Sequence, residues 1–251
     1  MRIRSVTLGT NVAYPLDIDD FEPFEAFQRQ ARAWFREAGL EVQTVRLATQ
    51  PFANVLSDAG ADAAPVFAQA LEAACQAHGI DYCSVGPVMA AEPESDLSYL
   101  AAIPELIRTT QAAFASVLVA ENGAGINLAA IARSAEIVSE IAHSTPQGFG
   151  NLRLAILANC GPGSPFFPVA YHGGGGTRFS IATEAADLAV NAFATAESLE
   201  GAASQLREAI EEQGQVIEDI SRDLAASYGF RFGGIDFSLA PFPETRRSIG
   251  H

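Results

Sequence analysis

A chain of 251 residues and 26.4 kDa can bury a core of its own without disulfide help. Hydrophobic residues make up 49% of it and charged ones 18%, which excludes an intrinsically disordered chain. Thirty acidic residues against 15 basic ones argue against nucleic-acid or anionic-membrane partners, and because all 15 are arginines, Schiff-base chemistry, a pyridoxal-phosphate anchor and a P-loop lysine are excluded.

The elements alternate between short β-branched runs and longer helical patterns. Residues 3–8 predict a strand, and residues 23–38 a helix with Phe24, Phe27, Ala31, Trp34 and Phe35 on one face, closed by Gly39. Residues 40–47 predict a second strand. Pro65 opens a helix whose buried side is expected at Val66, Ala70, Leu71 and Ala74, ending at Gly79. Residues 80–85 predict a third strand, stopped by Gly86 and Pro87. Asp96 is placed to cap a helix over Leu97, Leu100, Ile103 and Ile107, with a kink or restart at Pro104.

The nearly all-apolar run 114–120 predicts a fourth strand, buried as parallel strands are. A glycine-rich turn at 121–125 leads to a helix carrying Ile126, Ala130, Ile131, Ile137, Val138 and Ile141. Residues 152–158 predict a fifth strand buried on both faces, 177–182 a sixth and 232–237 the last. Between the last two, residues 198–228 form the clearest helical pattern, with Ala203, Ile210, Ile217 and Leu224 recurring at seven-residue spacing. This alternation predicts an α/β fold with mostly parallel strands, as a barrel or an open sheet, and no composition break divides residues 1–251 into separate domains.

Three cysteines without a CxxC pair do not make a disulfide framework and fit a reducing compartment. The start of the chain lacks a secretory apolar run, and no stretch of 18 apolar residues follows, so a cytoplasmic protein without a membrane span is expected.

In parallel α/β folds the chemistry collects where strands end. That rule selects Asn11 after the first strand, Arg46 near the end of the second, and Asn127 in the turn after the fourth. After the fifth strand come Asn159, Cys160, Ser164 and His172 in a loop that ends in four consecutive glycines, 173–176. Such a run suits a hinge, a close backbone approach or an anion-binding turn, and equally a surface loop with no ligand. Cys160 is a nucleophile or radical-carrier candidate with His172 as base, or else a packing residue. His172 with Glu184, Asp187 or Asp236 is a candidate set for a divalent metal, although no paired-histidine spacing supports it. Asp236 interrupts an apolar strand, where a charge is costly unless paired or used; an ion pair with Arg46 or Arg178 is the alternative to a catalytic role. Ser238 follows it on the same strand.

The segments RSVTLGTNV, EVQTVRLATQPF, SVGPV, the GIN turn, NCGPGSPFFPVAYH, FSIATEAADLAV and GIDFSLAPFPETRRSIG together resemble the family called domain of unknown function 711, also termed uncharacterised protein family 0210. The resemblance implies kinship in fold with the barrels of ribonucleotide reductase and pyruvate formate-lyase, which consist of two five-stranded parallel halves. It also implies a longer protein, of which this chain is the first part. Cys160 is the one cysteine placed for a thiyl role, but the chain ends before any glycyl-radical loop, so the kinship speaks for the fold and not for radical chemistry.

The resulting expectation is an enzyme or enzyme-like subunit that binds a small polar metabolite. His172 is the general acid/base and Asp236 its orienter or a metal ligand, with Asn159 and Cys160 beside them. Asn11, Arg46, Asn127, Ser164 and Ser238 are the substrate-binding candidates. The competing expectation is a non-catalytic regulatory or structural subunit that completes a barrel by homo-oligomerisation or with a complementing chain.

Overall fold

The computed structural model describes residues 1–238. Its strands are β1 (Arg2–Gly9), β2 (Val42–Ala48), β3 (Tyr82–Met89), β4 (Ala113–Glu121), β5 (Gly125–Ile126), β6 (Leu154–Ala158), β7 (Arg178–Glu184) and β8 (Arg231–Asp236). The helices are α1 (Glu22–Glu37), α2 (Phe52–Val55), α3 (Ala64–Ala77), α4 (Ile103–Thr109), α5 (Leu128–Ser144), α6 (Ala186–Thr195) and α7 (Leu199–Tyr228). The fold is thus mixed α/β: one eight-stranded sheet, mostly parallel, with helices alternating along the chain.

The sheet has two parts. Strands β6, β4, β3, β2 and β1 lie side by side in that order and are all parallel. β7 then pairs antiparallel with β1, from Gly9↔Arg178 to Arg2↔Glu184, and β8 pairs parallel with β7. Among the described residues no pairing joins β6 to β8, so the sheet is open and does not close into a complete barrel.

Alternation along the strands sorts side chains onto two faces. Ile3, Val6 and Leu8 of β1, Val45 and Leu47 of β2, Val117 of β4 and Phe179 and Ile181 of β7 enter one buried cluster with the helices. The opposite face carries Thr7, Ser84 and Ser180, and the segment 159–176 is laid across it. Thr7 donates to the Pro165 carbonyl at 2.8 Å and Ser84 to the Ala170 carbonyl at 2.9 Å. Ser180 donates to the Gly163 carbonyl at 3.5 Å. These small hydroxyl residues let the backbone approach closely and satisfy its carbonyls, so the segment is not a free surface loop.

Several local expectations need correction. β3 does not stop at Gly86 and Pro87 but runs on to Met89 through a register shift between Ser84 and Pro87. Gly86 takes φ +76°, which absorbs the bulge and places Pro87 where no ladder N–H is required. In α3 Leu71 and Ala74 are buried as expected, together with Phe67, Ala68 and Cys75, whereas Ala70 is half-buried and Val66 is exposed. β6 is not buried on both faces, since Ile156 is 41% exposed on the edge of the parallel unit. α6 went without a prediction. Asp96 does cap a turn, accepting from the Ser98 N–H at 2.9 Å, and α4 restarts at Pro104 as the pattern indicated.

Candidate functional site

The antiparallel junction decides which candidates share a site. It brings the C-terminal ends of β1 and β2 to the N-terminal ends of β7 and β8. The C-terminal ends of β7 and β8, with Glu184 and Asp236, lie at the opposite end of the sheet. His172 packs at the first end, where its Nδ1 would lie 3.1 Å from a Cβ placed on Gly9. Asp236 is in register with Ala182, four residues along β7 from the Arg178 that faces Gly9. At ~3.3 Å per residue this is a separation of roughly 13 Å. Asp236 therefore does not orient His172, and His172, Glu184 and Asp236 do not form one metal site. Among the described residues no group of three or more His, Cys, Asp or Glu side chains is placed to hold a metal ion.

At the far end Glu184 accepts from Gln43 Nε2 at 2.8 Å and faces Arg4 at 3.6 Å, while Asp236 forms neither of the ion pairs considered for it. Its Oδ2 is buried without a hydrogen-bond partner, and burial raises its pKa. Ser238 contributes its carbonyl to the Ala185 N–H at 3.0 Å at this same end.

Three other candidates have local structural work. Asn127 is the N-cap of α5: its Oδ1 accepts from the Ala130 N–H at 3.1 Å and its Nδ2 donates to the Glu92 carbonyl at 2.9 Å. Asn159 is exposed at the end of β6 with φ +53°, a left-handed conformation that asparagine tolerates. Ser164 accepts from the Phe166 N–H at 3.3 Å and shapes its own turn. Arg46 lies on the same face as Thr7, with its guanidinium 5.7 Å from the Tyr82 ring centre and 5.5 Å from that of Phe167. Burial and the neighbouring Arg4 lower its pKa to about 10. Cys160 is half-buried, and its carbonyl accepts from the Tyr171 hydroxyl at 3.0 Å.

Asn11 and His172 do meet. Asn11 Nδ2 donates to the Gly175 carbonyl at 2.8 Å, and His172 Nε2 approaches the same oxygen at 3.4 Å. Thr10 and Thr177 share a hydroxyl contact at 2.9 Å beside them, and the His172 main-chain N–H donates to the Thr49 carbonyl at 2.9 Å. The His172 ring is fully buried beneath its own glycine loop. Facing a carbonyl, Nε2 carries the hydrogen, which leaves Nδ1 a lone pair that is buried and unpartnered. Burial lowers the pKa of His172 most; the Gly175 contact raises it by less, and Arg178 and Arg231 each add a still smaller lowering. The ring is thus held neutral, with a free basic nitrogen.

Arg178 and Arg231 are the members of this site that the strand-end rule missed. Both stand at the first position of their strands, and only the reversal of β7 and β8 brings strand starts to the same end as His172. The one available signal was the pair of matching TRF and FRF contexts that open the last two strands.

The site therefore belongs to an α/β sheet protein in which a neutral histidine, a glycine loop and two arginines meet at an antiparallel junction. The chain is a member of the family described as Uncharacterised ACR (DUF711), whose family model matches residues 1–251. It is 32% identical over 223 residues to a UPF0210 protein of Methanopyrus kandleri, covering 85% of this chain and 49% of that protein. It is 27% identical over 217 residues to a UPF0210 protein of Actinobacillus succinogenes, covering 84% and 48%, and 28% identical over 266 residues to one of Methanococcoides burtonii, covering 98% and 59%. The chain thus spans about half the length of the curated relatives it matches.

Proposed function

We propose that this chain forms part of a small-metabolite-binding enzyme whose site lies at the β1–β7 junction, with His172 as its acid/base. The observation that carries this reading is the buried, unpartnered Nδ1 of a histidine kept neutral beneath a glycine loop. An orphaned acceptor in a protein interior is costly, and a ligand donor reaching it when the loop lifts would satisfy it. From a bound ligand the lone pair can accept a proton, and Arg178 and Arg231 then favour its return because they disfavour the imidazolium. Asn11 acts as a positioning residue through the Gly175 carbonyl. A reducing, cytoplasmic setting fits three cysteines without a CxxC pair.

Native mass spectrometry of the protein purified under mild conditions tests the reading. The wild type is expected to retain a small molecule that His172→Gln and His172→Ala lose while folding normally. Retention of the same molecule by both variants would remove His172 from the site.

A second reading, a subunit that completes a barrel with another copy or another chain, draws on the sheet. A parallel unit of five strands followed by an antiparallel second parallel pair is how two half-barrels would begin to join, and β6 and β8 are open edges among the described residues. No helix in the described residues is long and apolar enough to cross a membrane. The mass from the same native spectrum separates the readings: a monomer with ligand favours the first, a defined dimer or hetero-complex the second.

A further inference from the structure

The reading of the junction as a metabolite site leaves one feature unexplained, which is the like-charge pair at its rim. Arg178 and Arg231 are register partners on parallel strands, so their side chains leave the same face of the sheet one strand apart. Like charges placed side by side on neighbouring strands are destabilising. The chain has 30 carboxylates, and Arg4, Arg29, Arg32, Arg108, Arg133 and Arg222 each lie against one. Neither Arg178 nor Arg231 has a carboxylate within ion-pair distance among the described residues. Arg178 is also hemmed in: its Nε is buried without a hydrogen-bond partner. A Cβ at Gly163 or at Gly233 would lie 2.5 Å from its guanidinium, so both backbones close on it only because they carry no side chain.

Beside this pair the structure holds a cavity of about 400 Å3 lined by Gly174, Gly175, Gly176, Thr177, Gly229, Phe230 and Arg231. That volume suits a small metabolite. The loop backbone adds exposed amides without side chains to block approach, a wall well suited to oxyanions. A protein of net charge −15 repels small anions in general, so a positive pair with no internal counter-ion at a cavity is a local reversal of the surface field.

We propose that Arg231 binds a doubly charged oxyanion group of a small metabolite, a phosphate monoester or a dicarboxylate, in the cavity under the glycine loop, and that Arg178, one strand over and outside the lining, adds its charge to the field there. This inference rests on the junction being the metabolite site and names the chemical class of its ligand. The two guanidinium charges together match a charge of −2, and the planar donors of Arg231 match the paired oxygens of either group.

Isothermal titration of the full chain with inorganic phosphate, and separately with malonate, at low ionic strength tests this. Saturable binding of at least one probe is expected, weakened at least tenfold in Arg231→Gln and lost in the Arg178→Gln/Arg231→Gln double variant. Arg231 is exposed, so its single substitution leaves the fold intact and carries the test should the double variant not fold. Phosphate binding alone would identify a phosphate ester as ligand, and malonate binding alone a dicarboxylate. No saturable binding of either probe to the folded wild type, or equal affinity in Arg231→Gln, would overturn the assignment. Should native mass spectrometry show a neutral molecule held by the wild type and lost in His172→Gln while neither probe binds, the anion assignment fails and the metabolite site stands.

Discussion

Phe27→Ala is expected to lower the unfolding free energy by about 3–5 kcal/mol, measured by urea denaturation. Phe27 is fully buried in α1, and its ring lies 4.9 Å from Phe179, 5.4 Å from Tyr228 and 5.3 Å from Phe230, centre to centre. Those partners belong to β7, to the end of α7 and to the lead-in to β8, whereas α1 follows β1. The aromatic cluster therefore fastens the second parallel pair onto the first parallel unit across the junction that builds the site. Its loss should act unevenly: amide protection in β7 and β8 should fall further than in β3 and β4. Leu71→Ala, in α3 and equally buried, removes comparable area without touching the junction and serves as control. Equal loss of protection in all four strands would contradict the fastening role.

Gly86→Ala is expected to cost about 2–5 kcal/mol, from ~1–2 kcal/mol of left-handed strain and ~1–3 kcal/mol of overpacking. A Cβ there would lie 2.8 Å from the Gln50 carbonyl oxygen, a backbone atom that cannot swing aside. Gln50 is itself fixed, accepting from the Val12 N–H at 3.0 Å and donating to the Val12 carbonyl at 2.8 Å. The neighbouring Thr49 carbonyl holds the His172 main chain at 2.9 Å. Displacing Gln50 thus disturbs the seat of the histidine as well as the stability. Gly229→Ala isolates the strain, because Gly229 is left-handed at φ +66° and ψ +20° with no atom near a Cβ, and should cost only ~1–2 kcal/mol. Equal costs for the two variants would show that the contact at Gly86 is slack.

Most of the element order was legible because hydrophobic period and punctuation agree along the chain. Phe24, Phe27, Ala31 and Phe35 repeat at helical spacing and are buried together, and the all-apolar run of β4 lies inside the parallel unit. Gly86-Pro87 misled because the same dipeptide ends a strand or bulges one, and only the neighbouring Gln50 backbone distinguishes the outcomes. Val66 and Ala70 were misplaced on the buried face of α3, while Leu71 and Ala74 were not, because alanine appears on both sides of that helix and carries little phase information. β6 looked buried because an apolar run does not reveal whether a neighbour exists on both edges.

The site was legible in part. His172 and Asn11 stood out as polar residues at strand ends beside a glycine run, and they do share the Gly175 carbonyl. Asp236 and Glu184 were grouped with them because strand direction is not written in local pattern. The reversal at β7 depends on pairing across more than 160 residues of sequence, from Gly9 to Arg178. That same reversal hid Arg178 and Arg231. Family membership and motif order were legible throughout, since the matching segments are distributed along the whole chain.

The most direct test of the central claim is a pH titration of His172 by NMR, with and without inorganic phosphate or malonate. The account predicts a neutral ring with its hydrogen on Nε2 and a midpoint below the ordinary 6.5. The unfolded chain then takes up this proton at higher pH than the folded one, so stability falls as pH drops below that ordinary value. A bound anion beside Arg178 and Arg231 should offset their repulsion, move the midpoint upward and shift the ring signals. A ring that titrates at or above 6.5 with its hydrogen on Nδ1, and that ignores both probes, would contradict the account.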